Sequence, residues 1–172
     1  METLAGFLDI GWLATLVNKY DWVWPICEML HFIGMALLIG TVGWLDIRIL
    51  GFGKGVPIAG LEKLVPIGIV GFALNVGSGL VFVAGNPAGG PIAYLGNVAF
   101  QIKMLLILIA GLNLAAYYFT GIARTAANVP AASDAAPAAK AVAVVSLLAW
   151  FGVIYFGRMI MYEDTLLYAF GK

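Results

Sequence analysis

The run VAFQIKMLLILIAGLNLAAYYF, Val98 to Phe119, decides the fold of this chain. About 20 helical residues cross the roughly 30 Å hydrocarbon core of a bilayer, and this run is long enough while holding a single formal charge, Lys103. Three other runs, at about 22–49, 64–84 and 141–162, have the same character. The chain is therefore expected to be all-α, with a four-transmembrane-helix bundle over residues 22–172. Composition agrees: 63% of residues are hydrophobic and 10% charged, and mean hydropathy is +1.01. A soluble domain carries about 25% charged residues.

Residues 1–21 are too polar to span. Leu4, Phe7, Leu8, Trp12 and Leu16 recur at helical spacing with Asp9, Asn18 and Lys19 elsewhere, the pattern of an amphipathic interfacial helix. Glu2 and Asp9 stand where a cleaved leader would be basic, so no signal peptide is expected. The segment Thr120 to Lys140, rich in Ala, Pro and small polar residues, reads as a mobile loop that builds no core. The nine Lys and Arg residues are scattered singly and net charge is zero, so nucleic acid is excluded as a partner and the lipid bilayer is the expected one.

Basic residues in short loops favour the cytoplasm. Arg48, Lys54, Lys63, Arg124 and Lys140 fall on one side of the four spans, against Lys19, Arg158 and Lys172 on the other. The expected location is a bacterial inner (cytoplasmic) membrane, crossed several times, with both termini periplasmic. Small residues at Ala36, Gly40 and Gly43 in the first span and Gly68, Gly71, Gly77 and Gly79 in the second are expected helix contacts, since small side chains let backbones approach in lipid. A cofactor edge or a subunit contact is the other use for them.

The polar residues inside the spans carry the functional signal, because an ionisable group at depth costs roughly 2.5–3.5 kcal/mol on insertion scales. At about 1.5 Å per residue, Glu28 and His31 lie about 9 and 13 Å below the boundary near Trp22, and Lys103 lies about 8 Å into the third span. Arg158 lies one turn from the end of the fourth span, before Glu163 and Asp164. Glu28, His31, Gln101, Lys103 and Arg158 thus fall in one leaflet. On the first span Cys27, Glu28, His31 and Met35 are separated by three or four residues and share one helical face.

That face is a stripe of possible metal ligands. Imidazole suits iron and copper, and thiolate or thioether suits copper. Two sites are open: haem iron on His31 with Glu28 tuning it, or copper on Cys27, His31 and Met35. A simpler reading has His31 hydrogen-bonded within the bundle and Glu28 paired with Lys103 or Arg158. Cys27 is the only cysteine, so it forms no intrachain disulfide and serves as a packing residue or a ligand. At the other end of the first span, Asp46 and Arg48 read as topology anchors, or Arg48 holds a haem propionate through its planar fork. Asn75, Ser78 and Asn113 read as interhelical hydrogen-bonding groups.

The strings PICEMLHFIGMALLIGTVGWLDIRILGFGKG, LVPIGIVGFALNVGSGLVF and FQIKMLLILIAGLN resemble a family of small bacterial four-helix membrane proteins, a likeness that implies topology and no activity. More distantly, His31 followed by Arg48, together with Lys103-Met104-Leu105-Leu106, is similar to the pattern of HemJ-type protoporphyrinogen oxidases, which bind b haem through a first-helix histidine, and of CopD-type copper resistance proteins. The chain lacks the tryptophan, the Pro-Arg step and the further histidines of the HemJ-type family. The resemblance therefore implies His31 as an axial haem ligand and Lys103 as a pocket residue, but not protoporphyrinogen oxidation.

Three function classes follow. The first is a membrane b-type haem protein in electron transfer or an oxidoreductase step, with Lys103, Arg158 or Arg48 on the propionates and a quinone or redox protein as partner. The second is a copper-binding or copper-transport protein. The third is an accessory subunit or a small transporter whose Glu28 and His31 relay a proton. With one histidine, the sixth iron position is empty, taken by methionine, or completed by a homo-oligomer. The sequence holds no phosphate-binding Gly-rich loop, nucleophile elbow or zinc-protease helix, so a hydrolase or ATPase is not expected.

Overall fold

The computed structural model describes residues 2–86 and 89–162; Glu163, Asp164 and Lys172 lie outside them. Four helical runs are long and apolar enough to cross a membrane: Val23–Ile49, Ile58–Ala84, Val98–Phe119 and Pro137–Tyr162. This is a multi-pass membrane protein, and among the described residues it contains no strand. Phe32, Ile69, Leu112 and Leu148 stand exposed along the four spans. Such outward apolar surface is a liability in water and the normal state against lipid.

The elements are α1 (Glu2–Leu8), α2 (Gly11–Lys19), α3 (Val23–Leu38), α4 (Trp44–Ile49), α5 (Ile58–Glu62), α6 (Val65–Ala84), α7 (Gly90–Gly96), α8 (Val98–Phe119), α9 (Ile122–Ala127) and α10 (Pro137–Met159). The third span coincides with its expected bounds. The first is interrupted by a π-helical turn, Ile39–Gly43, between α3 and α4. The second begins earlier, with α5 leading into α6, and the fourth begins at Pro137. Residues 2–21 hold two helices with a break at Asp9 and Ile10. One side of this pair, Ala5, Leu13 and Val17, is buried, while Phe7 and Trp12 face outward.

Two tight hairpins make the bundle, α3 against α6 and α8 against α10, and they meet chiefly where α4 packs on α10. In the first hairpin the close approach is Gly34 against Gly71. A Cβ at Gly71 would stand 2.6 Å from the Gly34 carbonyl oxygen and 2.9 Å from the Leu38 nitrogen. Gly68 is equally constrained by Thr41. Of the expected face Ala36, Gly40 and Gly43, Ala36 is exposed and a Cβ at Gly40 would meet nothing within 4 Å, while Gly43 is buried in the π turn.

The hydrophobic core sits at the end where α4 meets the loops, joining Leu45, Ile49, Ile58, Leu61, Val65 and Tyr117 to Ala123, Ala126, Ala135, Ala139 and Ala143. The expectation that residues 120–140 build no core is overturned here. Alanines small enough to nest between helices pack as α9 and the first turn of α10, and Asp134 bridges Lys54 at 2.7 Å and Lys140 at 3.0 Å. At the opposite end Asn97 starts α8 by accepting the Phe100 N–H at 2.9 Å. Its amide also donates to the Ile160 carbonyl, tying the start of the third span to the end of the fourth.

Candidate functional site

His31 lies half-buried on α3, facing α6. Its Nδ1 is 2.9 Å from the Ser78 hydroxyl oxygen, and its ring packs on Phe82 with centroids 5.4 Å apart. Gly79 lies beside the ring: a Cβ there would stand 3.8 Å from Cε1, an ordinary contact. Ser78 decides the tautomer. Its oxygen also lies 2.6 Å from the Leu74 carbonyl and 3.3 Å from the Asn75 carbonyl; with the hydroxyl proton given to one of these, the oxygen accepts from His31 and Nδ1 carries the hydrogen. The Asn75 carbonyl is a second acceptor within reach of the ring. Nε2 is left with its lone pair.

Lys103 on α8 reaches the same level, close enough for its charge to act on His31. Its stem and ammonium lie over Gly157 of α10, with Nζ 3.4 Å from where a Cβ would stand. Among the described residues both salt bridges belong to Asp134, and Lys103 is half-buried without an ion pair. At this level the two hairpins pack against each other less closely than at α4 and α10.

The remaining expected residues divide. Glu28 does not orient His31; its carboxylate accepts the Trp24 indole N–H at 3.1 Å and is exposed. Ser78, assigned from sequence only to interhelical bonding, does the orienting. Glu28 does lie near Tyr94 of α7, where burial and then the carboxylate push the phenol's pKa up. Arg158 is exposed, with its guanidinium 5.5 Å above the Tyr162 ring. Cys27 and Met35 are half-buried on the His31 helix, and among the described residues no group of three or more His, Cys, Asp or Glu side chains converges on a point.

Arg48 leaves the site altogether. It is 1% exposed, with Nε donating to the Val56 carbonyl at 2.6 Å and Nη2 to the Lys54 carbonyl at 3.4 Å. It holds the loop after the first span, about 25 Å along the helix from His31, and its Nη1 is buried without a hydrogen-bond partner among the described residues. Asp46 is also buried, 5% exposed. It borders a cavity of about 120 Å³ lined by side chains of all four spans.

Comparison with protein-family models, with curated proteins and with solved structures finds no match in any of the three.

Proposed function

We propose that this chain is a membrane b-type haem protein with His31 Nε2 as an axial ligand. The observation that carries the reading is the Leu74–Ser78–His31 hydrogen-bond chain. It fixes the ring by Nδ1–H and presents Nε2 as a donor, which is how metal-bound histidines are held. The half-buried, unpaired Lys103 supports it, since a fixed ammonium at that depth calls for an anion and a propionate is one. Arg158 is the second candidate for that role; Arg48 is not. Haem so held passes one electron at a time, and burial with axial ligation tunes its potential.

The work proposed is therefore electron transfer in the membrane, with a quinone or a redox protein as partner and a second copy of the chain as one source of the sixth ligand. We place the chain in a bacterial inner membrane with both termini in the periplasm, on the loop charges. The test is the optical spectrum of the purified protein, oxidised and then reduced. A Soret band present in the wild type and in Glu28→Gln but lost in His31→Ala is the expected result. No iron and no Soret band would retire the proposal. Bound copper in their place, lost in His31→Ala, would assign the stripe Cys27, His31 and Met35 instead.

A further inference from the structure

A groove runs along the outside of the bundle where the first and fourth spans meet. Gly40, Trp44 and Ile47 line it from one side and Leu147, Phe151 and Ile154 from the other, around about 190 Å³ of open space. No charged residue lines it. It is reachable from the bilayer, since Trp44, Phe151 and Ile154 are 45%, 65% and 37% exposed. A Cβ at Gly40 would meet nothing within 4 Å, so the chain's own packing leaves the groove open at that point. Each wall extends over about 10 Å of helix.

Both walls lead to a lysine. Lys140 lies two helical turns before Leu147 on α10, on the same face and about 10 Å nearer the water boundary. Lys54 lies in the connection between α4 and α5, just beyond the other wall. The two ammonium groups meet at one carboxylate, Lys54 Nζ at 2.7 Å from Asp134 Oδ2 and Lys140 Nζ at 3.0 Å from Oδ1. Their side chains stay 39% and 36% exposed. An ammonium has three donors, and each of these gives one to Asp134, so the cluster keeps a net positive charge and free N–H groups in reach of solvent.

The rest of this end has the same sign. Lys63 and Arg124 are exposed, and the further carboxylate, Glu62, is occupied by the Tyr117 hydroxyl at 2.7 Å. Asp46 and Arg48 are buried and take no part.

We propose that this groove is a binding site for an anionic phospholipid, its phosphate on Lys54 and Lys140 and one acyl chain laid between Gly40 and Phe151. Charge complementarity selects the headgroup, because basic clusters between spans at the membrane boundary hold acidic lipids. Shape selects the tail. An apolar cavity of about 150 Å³ holds a benzene, so about 190 Å³ takes a length of hydrocarbon chain. A zwitterionic lipid fits the same walls but brings its own cation to the lysines. A free phosphate ion meets the lysines but leaves the groove unfilled. The groove lies in the half of the bilayer away from His31, and the site does not rest on the haem reading.

Native mass spectrometry of the detergent-purified full chain tests this, with dioleoyl phosphatidylglycerol titrated against dioleoyl phosphatidylcholine. The expected result is phosphatidylglycerol bound at least about 5-fold tighter, the scale of one net basic charge at a lipid surface, and not displaced by excess glycerol phosphate. Lys54→Gln/Asp134→Asn/Lys140→Gln, which removes the cluster, is expected to bring phosphatidylglycerol down to the level of phosphatidylcholine. Lys63→Gln lowers the net charge by the same single unit and is expected to leave the preference intact. Gly40→Leu fills the groove without touching a charge and is expected to weaken both lipids together. The exposed pairs of Asp134 contribute little to folding, and Gly40→Leu probes the groove independently of them. Equal affinity for the two lipids, a preference that survives the triple variant or falls as far in Lys63→Gln, binding unaltered by Gly40→Leu, or displacement by glycerol phosphate would overturn the proposal.

Discussion

At the scale of single residues, His31 and Arg48 exchange the environments that their positions suggest. His31 keeps a free Nε2 because one serine has already given its proton away. Ser78→Ala removes the acceptor that holds Nδ1–H, and the expected outcome is a haem affinity about 10–100-fold weaker, the usual cost of losing a partner that orients a ligand. Haemin titration of the apoprotein would measure it, with the helical circular dichroism unchanged. Arg48, by contrast, is an organiser of the loop that follows its helix, and removing it takes away the donor that the Val56 carbonyl uses. Ser78 was legible as a polar residue near mid-membrane, but its partner was not. Which of His31's neighbours orients the ring depends on how α3 and α6 are phased against each other, and sequence spacing offered Glu28 on the same helix.

At the scale of elements, the first hairpin is a glycine contact and the first span is two helices in series. Gly71→Ala is expected to cost about 1–3 kcal/mol, the price of overpacking, because the new Cβ meets backbone atoms of Gly34 and Leu38 that cannot rotate away. Gly77→Ala on the same helix, where nothing lies within 4 Å, is expected to be neutral or slightly stabilising. Reversible unfolding in mixed micelles would separate the two. The π turn Ile39–Gly43 places an extra residue in the coil, which rotates everything after it by about 100° relative to a continuous helix. Asp46 and Arg48 are buried on the far side of that turn. A helical count carried down from His31 therefore assigns their faces incorrectly.

At the scale of the whole molecule, the two hairpins are fastened at the Arg48 end by the core and by the loops that cap it. Lys54 and then Lys140 hold the Asp134 carboxyl down at about 2, below its ordinary value of 3.8. The folded state therefore binds that proton less readily than the unfolded chain. The stabilisation is complete above about pH 4 and disappears as pH falls through about 2. Asp134→Asn should lower the thermal midpoint slightly at pH 6 and by much less at pH 2, with the difference shrinking in salt, since these pairs are exposed. Orientation is also a property of the whole chain. In a Cys27→Ser background, Thr3→Cys is expected to react with an impermeant maleimide in intact spheroplasts and Ser133→Cys only after lysis; the reverse pattern would invert the topology. The sequence by itself determined four spans, the shared depth of His31 and Lys103, and the lipid environment, because span length and the cost of burying charge are local quantities. Only the tertiary structure decided that Gly34 rather than Gly40 makes the contact, that the alanines of 120–140 join the core, that Ser78 orients His31, and that Asp46 faces a cavity. Each of these depends on the relative rotation of packed helices, which a residue's own spacing does not encode.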